Sequence, residues 1–579
     1  MHQPLCRPET SAALSRRWHL TPVATIVLLL SACGGGDGGD GGETSLTLSG
    51  TAATGAALAN RPVDVKCAGG TPAAASTTTK DNGSYSLPIS GGVLPCVLRV
   101  TATDGAVMHS LASGSGSSAT AHITMASELV LAHLTGGAAA GAFRSFDATL
   151  LTDAKVQAAL TAVSDTLTAA GVDVTAFGNL LTAPLVAAHG GTAGNPFDKA
   201  LDALKVKLDA SRITLAALAD SVAKGSPNLP LAALSNTASL PAALLLQPAA
   251  DNCSALRSGR YRVVANAISG GNAPETEVVT VDAPNLKVTG ADGSVSQLTA
   301  NGACRFRTPV GGDVVVSQAG VIVAQVSGDT PGSPLKGAVL FPEQRHPLAS
   351  LAGDWNLIGL DRTVDNGPVH LTAATGTLNA TGKVTALTQC DNVLDCVAAA
   401  PADLTKLTFS ANAAGGFDFS FGVPSDIDRV FAYRSGGGEL MWVSLSKNGH
   451  IQFATRKAAG SLPAPGRVSE SFNLTLTPQY TAPLAISDSK NTIVSVDITA
   501  QSFLRDAVTN FTSGVTRPER FRVSQPREGY GRRTGEVVTD SAGHASTVSD
   551  FVTLGLRGTG VVPVAILASN QLILSVGKP

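Results

Sequence analysis

Three residue types in this 579-residue sequence have a spacing that could do chemistry: cysteine, histidine and arginine. Six of the eight cysteines, Cys67, Cys96, Cys253, Cys304, Cys390 and Cys396, fall pairwise into three separate segments. In an exported chain that pattern predicts disulfides Cys67–Cys96, Cys253–Cys304 and Cys390–Cys396. A metal site is the competing chemistry, but no Cys-x-x-Cys occurs and no histidine stands nearby at ligand spacing. The ten histidines include no His-Glu-x-x-His and no pair three or four residues apart. His122 and His133, 11 apart, could share a helix face, where a ligand role competes with the commoner part of a partly buried structural histidine. No Gly-x-Ser-x-Gly is present, and the "SGSGSS" stretch at 113–118 reads as a loop. A catalytic triad assembled only in space stays open, because its members need not be neighbours in sequence.

Arginine is the third type. Arg517, Arg520, Arg522, Arg527, Arg532 and Arg533 fall within seventeen residues, opposed by Glu519 and Glu528. Guanidinium forks match carboxylate and phosphate. A hairpin with these side chains on one face would offer an anion-binding patch to lipopolysaccharide, acidic glycans or an acidic envelope protein. The alternative is a solvated hairpin whose arginines pair with scattered acids. "GYGRRTG" (529–535) suggests a phosphate loop, but strand and turn residues follow it where a helix is required. "GDGGDGG" near the N-terminus lacks the carboxylate spacing of a calcium loop. Trp355, Trp442 and Tyr433 could form a stacking platform, although alternation through "DRVFAYRSGGGELMWVSL" favours core packing. No cofactor motif is present.

The elements that must position these residues are β-rich. Charged residues make up 15% of the chain and aromatics 4%, and there are 61 glycines, a profile of short strands and many turns. The length allows roughly three to five domains. A formal net charge of −2 argues against nucleic acid as partner.

At the N-terminus, Arg16 and Arg17 precede an apolar run, Val23–Leu30, far shorter than the ~20 residues of a spanning helix. The run ends in Leu30-Ser31-Ala32-Cys33, which resembles the lipobox of bacterial lipoproteins. The resemblance implies that residues 1–32 are a cleaved signal peptide, removing Cys6. Cys33 would then carry diacylglycerol and palmitate and anchor the chain in a membrane. Gly34, standing where an inner-membrane retention signal would hold aspartate, implies the outer membrane. Residues 33–44 read as the lipidated cysteine and a flexible Gly/Asp tether.

Residues 45–119 alternate in short runs around the turn Lys80-Asp81-Asn82-Gly83. The succession of Ser49-Gly50-Thr51, Pro62-Val63-Asp64-Val65 and Thr79…Asn82-Gly83-Ser84-Tyr85 resembles the carboxypeptidase-regulatory-like (transthyretin-like) β-sandwich. That resemblance implies a non-catalytic module with Tyr85 in its core. Residues 120–224 shift to helical spacing. Val156, Leu160, Val163 and Leu167 form one stripe after Thr152 as N-cap; Phe197, Leu201, Leu204 and Leu208 form another after Asn195 and Pro196. A third helix runs through Leu215, Leu218 and Val222. The block from "HITMASELVLAHL" onward loosely resembles a helical region seen behind such sandwiches in proteobacterial lipoproteins of unknown function.

Residues 225–251 read as a proline-bearing linker in which "LPAALLLQP" could dock on a neighbour. From 252 the pattern is β again, as modules 252–345, 346–466 and 467–579. "SGRYRVV" (258–264) and "AGDWNLI" (352–358) share Gly-x-aromatic, and "ADGSVSQLT" (291–299) and "ATGKVTALT" (380–388) share a second signature, faintly repeated in "SAGHASTVS" (541–549). The Gly-x-Trp opening resembles that of lipocalin-like barrels and would place Trp355 at a barrel floor, with an open β-sandwich as the alternative.

The expected fold is therefore multidomain and mainly β with one small all-α domain: a β-sandwich, a helical domain, then two or three antiparallel β-modules, barrel or sandwich. The expected function is a non-catalytic outer-membrane lipoprotein serving binding, adhesion or envelope structure. The alternatives are a lipocalin-like carrier of a small apolar ligand, and a cell-surface hydrolase.

Overall fold

A computed structural model describes residues 45–69, 75–229, 238–265, 276–326, 335–362, 368–423, 427–446, 451–476 and 486–579. Residues 1–44, on which the expected leader, lipidated Cys33 and tether fall, lie outside the described residues.

The first strands form two facing sheets. One is ordered Ser84–Ser90, Ser45–Thr51, Ser118–Thr120; the other is ordered Ala75–Thr78, Pro62–Gly69, Val93–Thr101, Val107–Ala112. In "SYSLPIS" the alternate residues Tyr85, Leu87 and Ile89 are buried, as a half-buried strand requires. The hairpin turn needs Gly83: its φ is +77°, and a Cβ there would meet Ala52 O at 2.6 Å. Tyr85 lies in the core, and its hydroxyl donates to the Ala121 carbonyl.

The helices Asp153–Ala169, Pro196–Ser211 and Leu215–Ala223 bury the expected stripes, and the Asn195 side chain caps Pro196–Ser211 by accepting from Asp198 N–H. A further helix, Met125–Thr135, is apolar on almost every side, and it packs against the sandwich strand Val107–Ala112 and two of these helices. One hydrophobic cluster therefore runs from Leu46 in the sandwich to Val222 in the helices. The sandwich and the helices are two layers over one core, and the expected boundary at residue 120 does not divide it.

The proline-bearing segment docks, as "LPAALLLQP" allowed. Leu240, Leu244 and Leu246 are buried, the Ser221 hydroxyl donates to Leu240 O, and Gly436 N–H donates to Ser239 O. The Arg257 guanidinium, from the strand Cys253–Arg257, donates to Ser211 O, Leu245 O and Gln247 O. One side chain thus ties helix, docked segment and first β-module together.

The first two β-modules share one topology. Among the described residues each has nine antiparallel strands, from Gly259–Ala265 to Lys336–Pro342 and from Gly353–Arg362 to Ile451–Arg456. In each, the first strand pairs with both the second and the last, and the sheet is open between the fourth and fifth. This is the order of an up-and-down barrel with one seam unzipped. The third module is a closed eight-stranded barrel from Val468–Leu476 to Gln571–Gly577, with the hairpin Glu536–Thr539/Ala545–Val548 outside the ring.

The Gly-x-aromatic signatures are structurally equivalent, since both head the first strand of their module. The second signature is not. "ADGSVSQLT" turns between the third and fourth strands, "ATGKVTALT" between the second and third, and "SAGHASTVS" in the external hairpin. What they share is local turn chemistry. Gly293, Gly382 and Gly543 have φ of 83°, 81° and 88°, and the carboxyl or amide oxygens of Asp292, Asn379 and Asp540 accept backbone N–H bonds within the turn.

The modules pack through their outer faces. A single cluster joins Val323 and Phe341 of the first, Ile358 and Phe453 of the second, and Leu474 and Leu574 of the third. Separate clusters fill the inside of the first (around Tyr261 and Phe306) and part of the second (around Trp355 and Trp442). Central strands such as Leu440–Leu445 are buried on both faces, so their apolar run does not alternate.

Candidate binding site

The interior of the second module is incompletely filled and holds a cavity of about 310 Å³. Strand parity builds it. Trp355 and Leu357 from the first strand, Phe409 and Phe419 from the fifth and sixth, and Trp442 from the eighth all project inward. Trp355 is held hard at one end. Its indole N–H donates to Leu351 O at 2.8 Å, and the Arg456 guanidinium lies 4.1 Å over its ring while donating to Ala352 O and Ser350 O. Burial, reinforced by Arg434, pulls the Arg456 guanidinium below its usual range.

The aromatic rings form a continuous wall. Trp355 and Trp442 centroids are 5.7 Å apart, and Phe409 stacks on Phe419 at 4.5 Å, which in turn meets Phe421 at 4.6 Å. The Trp442 indole N–H is buried and has no hydrogen-bond partner among the described residues. Polar residues gather at the opposite end of the cavity: Asp361, Gln389, Asp428, Ser446 and Gln452. The arrangement can take an amphipathic molecule, planar or apolar body against the rings and polar end toward this rim. Tyr433, the third candidate for a stacking platform, faces the other side of its strand, and its hydroxyl donates to Ala319 O of the first module.

All three disulfides form as expected: Cys67–Cys96, Cys253–Cys304 and Cys390–Cys396. Two of them join residues directly opposite in register.

The arginine-rich segment is divided by strand alternation and does not present one face. On Val515–Val523, Arg520 and Arg522 point outward and are exposed, while Arg517, with Glu519, points into the barrel. On Tyr530–Arg533, Arg533 points inward and Arg532 outward, where it meets Asp550 at 2.7 Å. The Arg527 guanidinium lies 4.7 Å over the Tyr530 ring and donates to Val393 O of the second module at 3.1 Å. Glu519 gathers Arg517 at 2.8 Å, Arg533, and Arg505 at 2.8 Å. Arg505 was invisible as a member of this group because it lies on the preceding strand; only the register Arg505↔Glu519 brings it in.

His109, His122 and His133 hold structure. His109 Nδ1 lies 2.9 Å from Glu128 Oε2 in the N-terminal core, both residues buried. His122 precedes the helix that carries His133, so the two do not share a face; its Nδ1 accepts from Thr51 N–H at 3.0 Å. Burial holds the His122 imidazole below its ordinary pKa. His133 Nδ1 meets Val222 O at 3.1 Å. Among the described residues no three His, Cys, Asp or Glu side chains are placed to hold a metal ion. No family model and no curated protein sequence matches the chain.

Proposed function

We propose that the chain is a non-catalytic envelope lipoprotein, anchored in the outer membrane through Cys33, that binds a small amphipathic ligand in the second β-module. The observation that carries this reading is the aromatic-walled cavity with polar groups at one end and a buried Trp442 N–H that has no partner among the described residues. Its volume is at the low end of the range typical of small-molecule sites, roughly 300–1,000 Å³. The carrier reading is thereby favoured over purely structural or adhesive roles. It is favoured over hydrolysis because the histidine–carboxylate pair of His109 and Glu128 is enclosed in the N-terminal core, away from this cavity. The N-terminal sandwich, read as a carboxypeptidase-regulatory-like module, and the tether would hold the site off the bilayer.

The test uses a convenience of the sequence. In a chain processed before Cys33 the tryptophans are Trp355 and Trp442, and both line the cavity. Energy transfer from them to N-phenyl-1-naphthylamine should be saturable, and Leu357→Gln should weaken it by about tenfold. Transfer that does not saturate, or that Leu357→Gln leaves unchanged, overturns the cavity. Separately, Cys33→Ser should abolish fatty-acid labelling in cells; persistent label overturns the anchor.

A further inference from the structure

The closed C-terminal barrel turns an apolar face outward against the other modules and mixes polar and apolar side chains inside, where Phe503, Phe521 and Phe551 share the lumen with serines and arginines. Cross-strand partners share a face, so the registers assign each residue to lumen or exterior. Leu474, Leu572 and Leu574 belong to the exterior and are buried against the other modules. The lumen receives Ser471, Ser489 and Ser575, whose hydroxyls are linked at 2.6 and 2.9 Å. Along Val561–Ile566 the exterior residues are fully buried and the lumen residues only half buried, so the inside is reached by solvent.

Of the ionisable side chains on the ring strands, the registers among the described residues send four inward: Arg505, Arg517, Arg533 and Glu519. Three positive groups against one negative leave two positive charges uncompensated inside the barrel. Glu519 and Arg533 are closed off, with side chains 2% and 6% exposed, whereas Arg505 and Arg517 keep 24% and 27% open toward the lumen. The Arg517 Nε is buried without a hydrogen-bond partner among the described residues. Guanidiniums offer about five N–H donors each, more than one carboxylate can accept. Two of them are held flat by rings, Arg505 4.2 Å over Phe521 and Arg533 4.0 Å over Phe551.

We infer that this lumen is a binding site for a small oxyanion, carboxylate or phosphate, seated on Arg505 and Arg517 with Arg533 and Glu519 behind them. An eight-stranded barrel is just wide enough either for side chains to fill or for one small ligand to occupy, and the half-buried lumen positions of Val561–Ile566 fit the second case. Excess charge of one sign on part-buried groups is unfavourable until it is paired, and a bidentate oxyanion pairs it with the geometry guanidiniums favour. The titration behaviour agrees: burial pulls the Arg533 guanidinium down to about 10 and lowers Arg505, despite the Glu519 carboxylate beside them. The anion chemistry that the arginine-rich stretch suggested thus moves from the surface to the barrel interior.

The test is calorimetric titration of the full-length chain in detergent with inorganic phosphate, and separately with hexanoate, against chloride at equal ionic strength. Saturable binding of phosphate or of hexanoate is expected, and which one binds names the source. Arg505→Gln and Arg517→Gln should each weaken it by about tenfold or more. Arg520→Gln and Arg522→Gln, on the outer face of the same strand, should not change it. Glu519→Gln, which removes the competing carboxylate, should tighten it; where that variant does not fold, Arg517→Gln decides, because it leaves Arg505 and Arg533 on Glu519. Absence of saturable binding, equal weakening by the outer-face variants, or a folded Glu519→Gln variant that binds no tighter would overturn the proposal.

Discussion

Tyr530, on the outer face of the C-terminal barrel, shares its hydroxyl proton between Leu357 O at 2.7 Å and Ala374 O at 2.9 Å in the second module. Those two carbonyls belong to residues opposite each other in register, so one phenol pins the first hairpin of the cavity-bearing sheet to its neighbour. Burial raises the phenol's pKa, which keeps it a donor throughout the accessible pH range. Tyr530→Phe keeps the ring and deletes this bond. A loss of about 1–2 kcal/mol in unfolding free energy is expected, read from the shift of the urea midpoint. An unchanged midpoint would show that solvent or backbone partners replace the hydroxyl.

A second prediction concerns acid. His346 Nε2 lies 2.9 Å from Gln344 Oε1, which also accepts from Arg434 N–H. Burial, then Arg434, lowers the imidazole from its ordinary 6.5 to about 4. The folded state therefore binds fewer protons than the unfolded chain between these values. This group costs the fold nothing above pH 6.5, and stability falls as the pH drops through the window toward 4. At pH 4.5 the loss attributable to His346 should be about 2 kcal/mol, discounted for partial solvent access. His346→Asn should flatten the difference in stability between pH 7.5 and 4.5 by that amount. A variant with the same acid slope as wild type would remove His346 from the account.

Much of this architecture is readable from sequence where one local rule governs it. Cysteines paired because the nearest partner in each segment is also the partner in the fold. The helix stripes at Val156–Leu167 and Phe197–Leu208 appeared because each helix has a wet side. Met125–Thr135 gave no stripe because it has almost none. The turn signatures misled about module equivalence: an acceptor side chain and a left-handed glycine are dictated by the turn alone, whichever strands it joins. The arginines misled for the opposite reason. Whether Arg517 and Arg520 share a face depends on strand parity, and whether Arg505 joins them depends on register, both set by pairing across the barrel. The cavity depends likewise on Trp355 and Trp442, 87 residues apart, meeting through the closure of the first strand onto the last.

The disulfides should differ in worth by loop length. Cys253–Cys304 closes 51 residues and Cys390–Cys396 only 6. In the chain-entropy account these correspond to about 4 and about 2 kcal/mol. Replacing both cysteines of each pair by alanine should therefore destabilise the first module about twice as much as the second, measured by denaturant unfolding. Equal losses would place the stabilisation in contacts of the folded state instead.

The docked segment after the helices gives the last prediction. Gly436 sits in the turn between Ile427–Arg434 and Leu440–Leu445, against the segment's backbone. A Cβ there would lie 2.0 Å from Leu240 O and 2.5 Å from Leu240 C, and no flexible side chain end is available to yield. Gly436→Ala must push the segment off the second module, breaking the Gly436 N–H bond to Ser239 O. The overpacking should cost about 1–3 kcal/mol. Because Leu240, Leu244 and Leu246 are buried only while the segment is docked, its release exposes cleavable backbone. Limited proteolysis of the variant should cut between 238 and 250 faster than in wild type. Equal resistance in Gly436→Ala would mean that helix and first module hold the segment without help from the second.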